Sequence, residues 1–188
     1  HDRFWVFYVF CGLSFMGKGL LGFALPGLII FLYLLVTNEW TLLIQRHNGK
    51  LRGRVELIRG ILIFLCVSLP WYVALLSGPE GRAFWNRFFI HDHFNRLGSG
   101  VHAIDDGTFE HFIKWLGIGM WPWVAFVPVA LLSMVGYRLK DNSPTNRLKL
   151  FVFLWFLTPF VLFTLSSTKF HHYIFPALPP LAILVAWS

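Results

Sequence analysis

Three groups of polar side chains stand out in a mostly apolar sequence. His91, Asp92, His93 and Arg96 place two imidazoles, a carboxylate and a guanidinium within the stretch Phe84 to Arg96. Lys169, His171, His172 and Tyr173 form a second group, and Lys18, between Gly17 and Gly19, is the third. Lysine, arginine and tyrosine together suit an anionic oxygen ligand: Arg supplies a planar donor fork, Lys a compact charge and Tyr a hydroxyl donor. At a membrane headgroup that anion is a lipid phosphate or diphosphate, with its tail between helices. Asp92 with His93 is a candidate acid–base pair, and His93 is a candidate metal ligand. Metal ligands must converge, whereas adjacent residues on a helix diverge, so at most one or two of His91, Asp92 and His93 share a site. The same reasoning separates His171 from His172, each a candidate metal ligand or lipid-phosphate donor. The plainer alternatives are that Lys18 and Lys169 snorkel to the interface and that His93 is a hydrated loop histidine.

Other chemistries lack their residues. No Gly-x-Ser-x-Gly elbow occurs, and Ser166 and Ser167 lie beside a membrane turn. Neither a Gly-rich phosphate loop nor a Cys-x-x-Cys pair is present. Asp105-Asp106-Gly107-Thr108 reads as a turn and cap entering a helix at Phe109.

The elements that must hold these groups are membrane helices. The 188 residues would suit one soluble domain, but 56% are hydrophobic and only 13% charged, against roughly 25% charged in ordinary globular chains. Twenty-one Phe and nine Trp suit lipid-facing and interfacial positions. The net charge of +7 clusters between apolar runs, so it is not a nucleic-acid footprint. Cys11 and Cys66 sit inside apolar runs and predict buried thiols without a disulfide framework. With His1 first, no signal peptide, and an apolar run under way at Ser188, the chain reads as a piece of a longer membrane protein.

The expected fold is all-α: one transmembrane domain over 1–188, a polytopic helix bundle with segments near 4–16, 20–36, 57–76, 112–136, 150–165 and 173–188. Pro26-Gly27 is expected to kink the second segment. A long connection, 77–111, is expected to carry short helices. The connections 38–54 and 137–149 hold an excess of Lys and Arg, which places both in the cytoplasm. Lys18, the loop 77–111 and the turn 166–172 then share the opposite face. Cations on the less favoured face of a membrane point to function.

Five motifs in order resemble one family. Ser14 to Gly27, with Lys18-Gly19 and Leu25-Pro26, is similar to the lysine–glycine, leucine–proline hairpin of bacterial protein mannosyltransferases and aminoarabinose transferases. Leu69-Pro70-Trp71-Tyr72 resembles their leucine–proline–tryptophan helix end. Phe88 to Arg96 resembles their aromatic run followed by an acid or His and then Arg. Trp121-Pro122-Trp123 is similar to a further aromatic–proline–tryptophan motif, and Ser167 to Pro180 to their serine-x-lysine, tyrosine, leucine–proline segment. These are polyprenyl-phosphate-dependent glycosyltransferases of the GT-C architecture.

The resemblance implies a membrane enzyme of the bacterial cell envelope, in the inner membrane with its active face periplasmic. It implies transfer of a sugar from a polyprenyl-phosphate carrier to a lipid, protein or glycan acceptor, with inversion at the anomeric carbon. It also implies a catalytic acid upstream of His1 and a divalent metal between that acid and His93. Arg96, Lys169 and Tyr173 match positions facing the carrier phosphate, and Lys18 matches a recurring lysine. His171-His172 departs from the family's usual residues, so carrier or acceptor contact differs there. Asp92 and His91 take supporting roles. A transporter or flippase that binds an anionic headgroup is the alternative, and a noncatalytic scaffold a third. Transport would predict mid-membrane charges and internal repeats, and the sequence shows neither.

Overall fold

Apolar sequence folds into helices here because a backbone within hydrocarbon must satisfy its own N–H and C=O groups. The computed structural model describes residues 4–40, 43, 46–47, 50–51, 57–86, 109–134, 143–166 and 169–188. It is a helical bundle. Among the described residues, three helices are long and apolar enough to cross a membrane: Leu20–Thr37, Leu57–Ser77 and Pro144–Leu165. Shorter apolar helices occupy Phe4–Lys18, Trp123–Leu132 and His171–Ala186. A two-residue antiparallel ladder, β1 (Arg46–His47) with β2 (Lys50–Leu51), is the departure from all-α among those residues. The chain divides into two compact units, His1–Phe94 and Asn95–Ser188.

In the first unit, α1 (Phe4–Lys18) packs on both α2 (Leu20–Thr37) and α3 (Leu57–Ser77), and α4 (Gly81–Trp85) follows α3. Small residues set these approaches, as they do where lipid gives helices no hydrophobic reason to associate. A Cβ at Gly22 would strike the Ser14 carbonyl, and one at Gly60 would enter the Tyr8 ring. Ile58, Leu62, Leu69 and Val73 line an exposed stripe of α3, the face suited to lipid. Pro26 lies within α2. That helix ends at Asn38, whose left-handed backbone (φ 55°) is a common stop.

The second unit departs from the expected spans. Segment 112–136 is not one helix. Instead α5 (Phe109–Gly119) stops before Met120-Trp121-Pro122, a 3-10 turn covers Trp123–Phe126, and α6 (Val127–Leu132) resumes. Pro122 has no N–H to donate, and a proline disfavours helical backbone in the residue before it. Helix α7 (Pro144–Leu165) begins well before residue 150, because Ser143 caps it and Pro144 occupies its first position. Arg147 and Lys149 therefore lie on that helix, not in the connection. The last segment opens as a 3-10 helix, His171–Ala177, before α8 (Leu178–Ala186), with Pro179 in the first turn of α8. Phe112, Ile174, Ala177 and Leu181 are almost wholly buried and form the core of this unit with Phe156 and Phe163.

Candidate functional site

Lys18 sits in the last turn of α1, exposed, where the chain reverses into α2 through a single residue. That residue is Gly19, at φ 63° and ψ −146°, a backbone region essentially reserved for glycine. Its N–H donates to the Phe15 carbonyl at 2.8 Å, and its own carbonyl accepts from Gly22 N–H at 3.0 Å. The hairpin therefore fixes where the lysine leaves the bundle. Beside the end of α3, Leu76, Gly81, Arg82, Trp85 and Asn86 line an open pocket of about 270 Å³.

The second cationic group is built from α7 and the 3-10 helix. Phe170, next to Lys169, has extended backbone, and Tyr173 N–H donates to the Phe170 carbonyl at 3.0 Å to start the 3-10 turn. Lys169 is half-buried. The Tyr173 ring packs against Phe163 of α7 (centroids 5.1 Å apart) and edge-on to Phe170 (5.3 Å). Ile174 and Ala177, both buried, seat this turn on the core.

The adjacent imidazoles of His171 and His172 meet edge-on, ring centroids 5.4 Å apart. His172 stacks on Phe170 at 5.4 Å and 20°, while the ring of exposed His171 stands 88° to that of His172. His171 also meets Trp115 of α5, with centroids 5.0 Å apart at 39°. Trp115 is also 6.4 Å from His111, whose Nε2 is buried. His111 and Trp115 lie one turn apart, beside buried Phe112 and Leu116. The sequence reading missed Trp115 and His111; their one-turn spacing next to an apolar pair was the available signal.

Lys169, His171, His172 and Tyr173 thus come together in one unit, and Lys18 belongs to the other. His91, Asp92, His93 and Arg96 lie outside the described residues, as do Asp105 and Asp106. Among the described residues no three His, Cys, Asp or Glu side chains are grouped to hold a metal. Cys11 is buried as expected, whereas Cys66 is exposed on α3.

No family model matches the chain. An undecaprenyl phosphate-alpha-4-amino-4-deoxy-L-arabinose arabinosyl transferase of Pseudomonas fluorescens is 34% identical over 177 residues, 94% of this chain and 27% of the relative. A second transferase of that name, also from P. fluorescens, is 35% identical over 94% of this chain and 28% of its own length. One from Proteus mirabilis is 32% identical over 94% of this chain and 29% of its length. The crystal structure of ArnT from Cupriavidus metallidurans in the apo state superposes on 98% of the chain with a TM-score of 0.72 and 28% identity.

The chain is homologous to a stretch of the aminoarabinose transferases. It spans little more than a quarter of the transferases it matches. The fold is that of the corresponding part of ArnT, a membrane helix bundle of the GT-C type. The broken helix at Trp121-Pro122 and the 3-10 helix at His171 are parts of that helix bundle.

Proposed function

We propose that this chain is part of a glycosyltransferase that takes a sugar from an undecaprenyl-phosphate carrier and passes it to a lipid, protein or glycan acceptor at the non-cytoplasmic face of the bacterial inner membrane. The observation that carries the proposal is the match, over 94% of the chain, to transferases named for an undecaprenyl-phosphate-linked sugar. The same match favours a transferase over a flippase, because these relatives are transferases by name.

In this reading Arg96, Lys169, Tyr173, Lys18 and His172 bind the carrier phosphate. An acceptor hydroxyl oxygen attacks the anomeric carbon, the bond from that carbon to the phosphate oxygen breaks, and the hydroxyl proton passes to a base at His93 or Asp92. The carrier leaves as an anion. Oriented donors stabilise the charge developing on it most strongly where water is scarce. This reading assigns that work to Lys169, half-buried just before the Tyr173 turn. A divalent metal near His93 is implied by family resemblance; the described residues do not assemble a site for it, and no step here passes through it.

The experiment is sugar transfer by the full-length protein in bacterial membranes, from a radiolabelled undecaprenyl-phosphate sugar. Arg96→Ala and Lys169→Ala each abolish transfer while membrane insertion and protein level are unchanged. Full activity in both variants removes the carrier-phosphate role.

A further inference from the structure

Tyr72 lies on α3, 6% exposed. Its hydroxyl donates to the Phe15 carbonyl of α1 at 2.8 Å, across 57 positions of sequence. That carbonyl already accepts the Gly19 N–H at 2.8 Å, so both of its acceptor positions are in use. The distinction matters. With Phe at position 72, the carbonyl would keep the Gly19 bond and no buried acceptor would be orphaned, so satisfying the Phe15 carbonyl does not require the hydroxyl. What the hydroxyl does is tie the last turn of α1, where Lys18 leaves the bundle, to a second helix.

The ring makes a second tie. It packs 5.0 Å from Phe15 and 6.4 Å from Phe84 on α4. Helix α4 is itself held close to the end of α3, because a Cβ at Gly81 would strike the Leu76 carbonyl. One buried side chain thus touches both the helix end that presents Lys18 and the short helix α4.

We propose that Tyr72 is a positioning residue for the carrier-phosphate site, holding the Lys18 turn through its hydroxyl and α4 through its ring. The proposal rests on the reading of Lys18 as a phosphate ligand given above. Tyr72→Phe keeps the ring and removes only the hydroxyl, so it tests the tie to Lys18 without opening a cavity.

Two measurements on the full-length protein decide it. The first is hydrogen–deuterium exchange of peptides covering 15–22, where Tyr72→Phe speeds exchange around Gly19 and leaves α2 beyond Gly27 unchanged. The second is kinetics with the undecaprenyl-phosphate-linked sugar. Loss of one hydrogen bond raises KM about fivefold with kcat held, and Tyr72→Phe adds nothing further in a Lys18→Ala background. Unaltered exchange overturns the proposal, and so does a KM increase of the same size with Lys18 already removed. If the wild-type protein transfers no sugar, the functional reading fails by itself. Exchange alone then decides: faster exchange around Gly19 upholds the tie to the Lys18 turn, and unchanged exchange overturns it.

Discussion

Trp115 of α5 stacks on His171 of the 3-10 helix, ring centroids 5.0 Å apart and planes 39° from parallel. This is the aromatic contact by which α5 meets the segment carrying Lys169, His172 and Tyr173. Aromatic pairs of this kind contribute roughly 0.5–1.5 kcal/mol beyond the area they bury.

Trp115→Ala should therefore lower the thermal unfolding midpoint of the detergent-solubilised protein, with a loss of roughly 1–3 kcal/mol for this half-buried ring. Trp115→Phe, which keeps an aromatic partner for His171, should recover most of that loss. Equal midpoints for Ala and wild type would show that the stack carries no stability.

Two glycines either side of Lys18 should respond in opposite senses. Gly17 lies in α1 with open space where a Cβ would go, so Gly17→Ala should stabilise by roughly 0.5–1 kcal/mol. Gly19, at φ 63°, should lose about 1–3 kcal/mol on substitution by Ala. Thermal unfolding of the two variants side by side checks both signs.

The start of α7 depends on a side-chain cap. Ser143 Oγ accepts the Asn146 N–H at 3.3 Å, and Ser143→Ala should cost about 1 kcal/mol. Ser143→Asp, which keeps an acceptor, should be nearly neutral. Faster amide exchange at Asn146 in the Ala variant alone is the measurement.

Topology can be read by labelling. After replacement of Cys11 and Cys66, a cysteine placed by Lys50→Cys should react with an impermeant maleimide only from the cytoplasmic side. One placed by Asp106→Cys should react only from the opposite side. Labelling of both from one side would reverse the orientation drawn from the basic connections.

Much of the helical frame was legible in the sequence. The apolar runs at 20–36 and 57–76 became Leu20–Thr37 and Leu57–Ser77, because an uninterrupted apolar run has few alternatives to helix. The prolines were harder. Pro26 and Pro70 sit inside continuous helices, whereas Pro122 marks a break. A proline's local effect is the same in each case, and the difference lies in whether surrounding structure compensates for the lost hydrogen bond.

By itself the sequence determined the class of this protein: an apolar chain with too few charges to cover a soluble surface, basic connections that alternate, and cations gathered in three short stretches. Those are properties of composition and order. Only the tertiary structure decided which side chains serve those stretches from a distance. Tyr72 reaches the Lys18 turn and Trp115 reaches His171, and neither pairing follows from local pattern. Both depend on where two helices come to lie side by side, and that is set by packing between residues far apart in the chain.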